Sequence, residues 1–337
     1  MADRSTRRRV GIGDVAARAG VSHATVSRVM NGNTTVNSAI AARVQAAAAE
    51  LKYKPNPVGR SLALGKTETI GIVVPDLSNP TFQSILRDVS IAAARDGYRV
   101  LIADSSEVSS EEAILAGEAR RRCDGVVLCA PRMSQDDLEE LAPTLHPLVL
   151  INRTTEHSST PSLVVDYGHG IQQLGAHLVE LGHRRIAYLT GPERSASNVQ
   201  RLRGLEKFVQ DYPEVELQFI PGGNTYDAGN EASDAVASCG ATGILVFNDV
   251  AAMGLLHGLS ERGIRVPEDL SITGYDDMPF ARYTMPGLTT AAVPITQLGS
   301  LAWRRMREHI KQADAESPTD HFEPHLEIRG STAPPKA

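Results

Sequence analysis

The chain has 337 residues, 42% hydrophobic and 22% charged, which is room for two or three ordinary globular domains. No apolar run approaches the ~20 residues that cross a bilayer, and the three cysteines (Cys123, Cys129, Cys239) have no metal-ligand spacing and cannot all pair. The net charge of −6 is split unevenly: ten Lys and Arg against three acids put residues 1–65 at +7 and leave −13 on the other 272, so a basic head that meets a polyanion is expected on an acidic body that does not.

In chain order, Arg4, Arg7, Arg8 and Arg9 lead into no apolar stretch, so a signal peptide is not expected and the cytoplasm is. Ile12, Val15, Ala16 and Ala19 then recur at i, i+3, i+4 and i+7, which predicts a short helix stopped by Gly20. Ser22 is placed to cap a second helix with Val26, Val29 and Met30 inward, ending near Asn31-Gly32. A third begins near Asn37 with Ile40, Val44, Ala48 and Leu51 on one side. Two short helices across a glycine turn, with a third closing the core, form a helix-turn-helix. Its second helix enters the major groove of double-stranded DNA, and the residues not needed for packing are His23, Ala24, Thr25, Ser27 and Arg28. Arg28 suits either the O6/N7 edge of guanine or a phosphate. Asn31, Asn56 and Arg60 complete the polar candidates for DNA contact. Asn56 and Pro57 can open a short helix that Gly59 weakens, so it needs a partner or DNA to become ordered.

From residue 69, short β-branched runs alternate with helical stretches. Strands are expected at 69–74, 98–104, 125–130, 147–152, 185–190, 242–248 and 270–274, and helices at 81–96, 111–121 and 171–181. This is the pattern of parallel α/β sheets, and about ten strands over some 270 residues suit two lobes. Ligands bind beyond the carboxyl ends of such strands. Those ends carry Asp76, Ser78 and Asn79, then Asn152 and Arg153, Asn248 and Asp249, and Tyr275, Asp276 and Asp277. Amides, carboxylates and an arginine converging on a cleft suit hydroxyl-rich ligands.

Asp14-Val15-Ala16, Ala19-Gly20-Val21-Ser22-His23-Ala24-Thr25-Val26-Ser27-Arg28-Val29, Asn31 and Leu51-Lys52-Tyr53-Lys54-Pro55-Asn56 together resemble the signature of the lactose-repressor (LacI/GalR) family of DNA-binding regulators. The body continues the likeness in Gly71-Ile72-Val73-Val74-Pro75-Asp76, Arg201 with Gly204, Asn248-Asp249, Gly274-Tyr275-Asp276-Asp277 and Ile328-Arg329-Gly330-Ser331. The resemblance implies an α/β two-lobed periplasmic-binding-protein-like core with an N-terminal all-α helix-turn-helix domain and hinge helix. It implies that Leu62 is wedged into the minor groove, that Arg201, Asn248 and Asp276 contact a small-molecule effector, and that Phe82 and Asn152 line the opposite lobe. It implies crossings between lobes near Asp166, Val293 and Phe322. The expected divisions are residues 1–55 for the DNA-binding domain, 56–65 for the hinge, 66–166 with 293–321 for one lobe, 167–292 with 322–332 for the other, and 333–337 for a tail.

Family members that bind sugars or purines often carry an aromatic residue where this chain has Asn224, which favours a sugar, polyol or sugar derivative, with Phe82 or Tyr275 as substitute stacking platforms. A nucleobase or nucleoside corepressor, or a protein partner, is the alternative. After Ser331 only six residues remain, with no heptad helix, so a homodimer on a palindromic operator is expected, with Trp303, Leu298, Leu301 and Met306 as interface or core. Neither a cofactor nor a metal is expected. Gly168-His169-Gly170 lacks the third glycine of a dinucleotide fingerprint, and no Walker, zinc-protease or serine-hydrolase motif occurs, so catalysis is not expected. The ten histidines read as solvated. The basic head excludes a transport-type sugar receptor.

Overall fold

The computed structural model describes residues 10–32, 35–54, 65–156, 160–312 and 318–336. It divides into two units, residues 1–67 and 68–337.

In the first unit α1 (Ile12–Ala19), α2 (His23–Met30) and α3 (Ser38–Glu50) surround a small core of Val15, Ala16, Ala19, Val26, Val29, Val44, Ala47 and Ala48. Ile12, Met30, Ile40 and Leu51 pack on its margin. Gly20 takes φ +65°, the left-handed backbone that ends α1, and Val21 N–H returns to the Ala16 carbonyl at 3.1 Å. Ser22 then caps α2 through Thr25 N–H, and Asn37 caps α3 through Ala39 N–H. These two side chains fix where each helix starts, and Gly20 fixes the turn between the first two.

The second unit holds two six-stranded sheets. Strands are β1 (Thr69–Val74), β2 (Arg99–Asp104), β3 (Gly125–Cys129), β4 (Leu148–Ile151), β5 (Ser162–Val165), β6 (Arg185–Leu189), β7 (Glu216–Ile220), β8 (Gly243–Val246), β9 (Ser271–Asp276), β10 (Thr289–Ala292), β11 (Thr319–Phe322) and β12 (His325–Glu327). The order is β11-β5-β4-β3-β1-β2 in lobe 1 and β12-β10-β9-β8-β6-β7 in lobe 2. Every pairing is parallel except β10 with β12. The central strands β3, β4 and β8 are buried along their whole length, as a sheet covered on both faces requires. Helices α4 (Pro80–Arg95), α5 (Ser109–Arg122), α6 (Gln135–Leu141) and α12 (Ile295–Lys311) belong to lobe 1. Lobe 2 has α7 (Tyr167–Glu180), α8 (Ala196–Asp211), α9 (Tyr226–Glu231), α10 (Ser233–Ser238) and α11 (Asp249–Glu261). The chain changes lobe three times, from β5 into α7, from β10 into α12 and from β11 into β12.

Several expectations change. Five strands are additional to those expected: β5, β7, β10, β11 and β12 have three to five residues, and Thr289-Thr-Ala-Ala and Thr319-Asp-His-Phe carry too little apolar patterning to announce a strand. Their partners in the sheets hold them instead. Strand β9 runs through Asp276 and does not stop at Gly274, because β10 pairs Ala291 with Tyr275 and Ala292 with Asp276. Of the two readings of Leu298, Trp303 and Met306, the core is the one seen: α12 packs on α4, and Trp303 donates its indole N–H to Asp96 at 2.7 Å. Not all histidines are solvated. His177, His183 and His309 are buried, and His183 ties Thr242, Ser271 and the Ala333 carbonyl together, anchoring the C-terminal segment to lobe 2.

Candidate functional site

On α2 the side chains sort by what the unit already uses. Thr25 shares a 2.9 Å hydrogen bond with Ser22, and Ser27 accepts from Asn31 at 3.4 Å, so Thr25, Ser27 and Asn31 are partly spent on the helix. His23 lies beside Gly13, where an added Cβ would sit 3.3 Å from its Nε2. Ala24 and Arg28 are exposed, and Arg28 has no hydrogen bond or ion pair among the described residues. By contrast Arg18 is held by Glu50 at 2.8 Å, which leaves Arg28 as the cation α2 presents. Asn56, Arg60 and Leu62 lie outside the described residues.

In the second unit, Asn79, Phe82 and Asn152 of lobe 1 line one cavity together with Arg201, Asn248 and Asp276 of lobe 2. Arg132, Asn224, Tyr167 and Phe247 also line it, four residues that the sequence reading had not assigned to contact. Phe247 had a legible signal, since it directly precedes Asn248 at the end of β8. Arg132, in a loop after β3, had none.

How Arg201 arrives there is a matter of glycine. A Cβ on Gly204 would stand 2.5–2.9 Å from the backbone of Gly168, so α8 and α7 touch main chain to main chain at that point. One turn earlier on α8, Arg201 is drawn into a cage of three rings, with its guanidinium carbon 3.9 Å from the centre of Tyr275, 4.4 Å from Tyr167 and 4.5 Å from Phe247. Its side chain is 1% exposed, yet Nε and Nη1 have no partner. Only Nη2 approaches a carboxylate, Asp276 at 3.9 Å.

Asp276 has φ +103° and Asn152 φ +59°, left-handed backbone for non-glycine residues at the ends of β9 and β4, where the chain turns to aim a side chain into the cleft. Burial pushes the Asp276 carboxyl up to about 6, against the opposing pull of Arg201 and of the hydrogen bond from the Thr81 hydroxyl at 3.1 Å. That bond joins the lobes, as does Asn224 donating to Glu107 at 2.9 Å. The three amides are more fully occupied: Asn79 caps α4, Asn248 caps α11 and donates to the Asn224 carbonyl, and Asn152 donates to the Tyr167 hydroxyl at 2.8 Å. The unsatisfied hydrogen-bonding capacity of the site therefore centres on Arg201. The cavity left between these side chains is small, about 30 Å³, so a sugar-sized ligand needs more room than this arrangement leaves.

The other strand-end residues do different work. Asp76 closes a turn onto Ser78 N–H, and Asp277 pairs with Arg329 at 2.7 Å. Asp249 is buried beneath the site, bonded by Thr290 and Met278 N–H, and burial raises its carboxyl well above the usual range. Arg153 donates to the Pro131 and Met133 carbonyls beside the cavity. Tyr275 is wholly covered, with its ring under Arg201, so it is no stacking platform for a ligand.

A helix-turn-helix unit joined to a two-lobed core with a polar cleft is the plan of a DNA-binding transcription regulator with a periplasmic-binding-protein-like effector domain. Residues 11–56 match the bacterial regulatory proteins of the lacI family, and residues 176–332 match the periplasmic binding protein-like domain. Catabolite control protein A of Priestia megaterium is 30% identical over 96% of this chain and 99% of its own. The lac repressor dimer bound to operator and the anti-inducer ONPF is 26% identical, with TM-score 0.85 over 97% of this chain and 100% of its own. A LacI family transcriptional regulator from Enterococcus faecium with bound ribose is 29% identical, with TM-score 0.72 over 80% of this chain and 100% of its own. The chain belongs to the LacI family and is a transcriptional repressor of that family, not an enzyme. Among the described residues no helix is long and apolar enough to cross a membrane.

Proposed function

We propose that a homodimer of this chain grips a palindromic operator with α2 of each subunit and releases it when a small polar effector, a sugar, polyol or sugar derivative, enters the cleft. The observation that carries this reading is Arg201, a fully buried guanidinium with two unpartnered nitrogens, Nε and Nη1, lining a cavity between lobes. Each buried unmet donor costs about 1–3 kcal/mol, and ligand hydroxyls offset that cost by accepting from it while Asp276 accepts from them. Asn248 would bind from lobe 2, and Asn79, Phe82 and Asn152 from lobe 1.

Effector bound in the cleft sets how the lobes close on each other, and in a dimer held through both lobes that movement changes the spacing of the two hinge segments, where Asn56, Arg60 and Leu62 would meet DNA. A coupling of ~1–3 kcal/mol between the two sites is the usual scale, and it is reciprocal. The dimer reading draws on apolar side chains left bare in both lobes. Leu101 and Ile102 on the edge strand β2, and Phe280, Tyr283 and Met285 after β9, are exposed, Met285 to 96%. A second copy that covers both groups is the occupant this surface fits.

Phe82 and Phe247 face the cavity from opposite lobes, which is the one feature favouring a flat nucleoside. A thermal-shift screen over sugars, polyols and nucleosides, followed by operator mobility shift with and without the hit, tests the proposal. The expected outcome is a sugar-type hit that weakens operator binding. A nucleoside hit that strengthens operator binding refutes it, and light scattering that gives a monomer removes the dimer.

A further inference from the structure

A wider recess of about 770 Å³ opens beside the closed cavity and shares Arg132 and Asn152 with it. Lobe 1 supplies the loop after β3 and the end of β4. Lobe 2 supplies one face of α8, where Ala196, Val199, Gln200 and Arg203 fall at i, i+3, i+4 and i+7. Four arginines line it, Arg132, Arg153, Arg194 and Arg203, against two carboxylates, Asp137 and Glu193.

Their partners differ. Arg132 is neutralised by Glu107, at 2.6 and 3.0 Å. Arg153 gives its donors to two backbone carbonyls and the Gln135 side chain, and it is desolvated, which lowers its pKa. Arg194 donates to the Ser109 hydroxyl across the lobes. Arg203 is exposed, with no hydrogen bond or ion pair among the described residues. Asp137 accepts from the Ser134 hydroxyl at 2.7 Å, and Glu193 is exposed to solvent. On a body that carries −13 over residues 66–337, this recess is lined by more guanidiniums than carboxylates, and Arg153, Arg194 and Arg203 form no ion pair among the described residues.

The inner cavity is more evenly balanced, because Arg201 and Asp276 face each other across it at 3.9 Å, a donor and an acceptor that together suit hydroxyls. The two chambers therefore sort the two ends of a molecule. We infer that the effector is an anionic carbohydrate, its hydroxyl-bearing end in the inner cavity at Arg201 and Asp276, its phosphate or carboxylate in the outer recess against Arg153, Arg194 and Arg203. This rests on the cleft reading above and adds the charge of the ligand.

The test is calorimetric titration of the full-length protein with matched sets of an aldose, its 6-phosphate and its aldonate, plus inorganic phosphate, at two ionic strengths. In at least one set the phosphorylated or acidic form is expected to bind at least tenfold more tightly than the neutral parent, and to weaken as salt rises. Which derivative gains identifies phosphate or carboxylate as the group recognised. The double variant Arg194→Ala/Arg203→Ala, at two exposed positions, is expected to lose that tenfold gain while keeping its affinity for the neutral parent. If the double variant keeps the full preference for the anion, or neutral and anionic forms bind equally, the outer recess has no such role. Binding lost in Arg201→Ala in either of those cases leaves the cleft reading standing by itself. No binding by any member of the sets overturns both.

Discussion

Replacing Arg201 by methionine separates a ligand-binding role from a structural one, because the structure places opposing energies on the two. Methionine keeps most of the side-chain volume, so the cavity term is small. What the fold loses is the set of ring contacts around the guanidinium, about 0.5–2 kcal/mol for each contact that is fully effective. What it gains is relief from two buried donors without partners, about 1–3 kcal/mol each. These nearly offset, and the remaining deficit comes from Asp276, which loses its cation but is already pushed up to about 6 and takes up a proton at modest cost. The ligand-free variant is therefore expected to unfold within about 2 kcal/mol of the parent. Effector binding has no such offset, since two charge-assisted hydrogen bonds of about 1.5–3 kcal/mol each disappear, a loss of roughly 10²- to 10⁴-fold. Denaturant unfolding without ligand and calorimetric titration with the effector measure the two quantities on one sample. A variant that keeps its effector affinity within threefold, or that loses more than about 4 kcal/mol of stability, shows that Arg201 is a core residue and refutes the reasoning.

Arg28→Ala is expected to cost about 1–3 kcal/mol of operator affinity and to relax preference at one base pair per half-site; an even loss across all sequences in a mobility-shift series means phosphate contact alone. The pH dependence of effector binding follows from Asp276: its carboxyl titrates near 6, so affinity that depends on the carboxylate as acceptor is intact at pH 7–8 and falls as pH drops through about 6. The same shift acts in the other direction on stability, because a raised carboxyl pKa favours the folded state at low pH, and that advantage is lost as pH rises from about 3.8 to about 6. Titrations at pH 5 and 7.5 with the parent and Asp276→Asn check this, and an equal pH response in both removes Asp276 from the site. Gly204→Ala is expected to destabilise by about 1–3 kcal/mol and to weaken effector binding at least tenfold, since the new methyl meets the Gly168 backbone and moves α8 with Arg201; unchanged affinity by titration means that the close approach does not position Arg201.

The three-helix head was legible almost residue by residue because its signals are local: a four-residue apolar period, Ser22 and Asn37 as caps, and Gly20 at a left-handed turn each act within a few residues of themselves. The alternation of β-branched runs with helices gave the parallel two-lobed class, since a strand buried on both faces must be apolar throughout, as β3 and β4 are. Asn79, Asn152, Asn248 and Asp276 were legible as a set because parallel sheets put their ligands at strand ends. Tertiary structure alone decided what each of them is free to do. Asp249 and Asp277 look the same in sequence as Asp276 yet are taken up by Thr290 and Arg329, while Arg201, read in the sequence only through the family resemblance, and Arg132, not read there at all, reach the cavity through the packing of distant segments. The short strands β5, β10, β11 and β12 belong to the same class, because three or four residues carry too little periodicity to declare themselves and exist as strands only through the neighbour they pair with. Local signals set the elements; which donors remain unpaired, and so which residues can answer a ligand, is fixed only when distant segments meet.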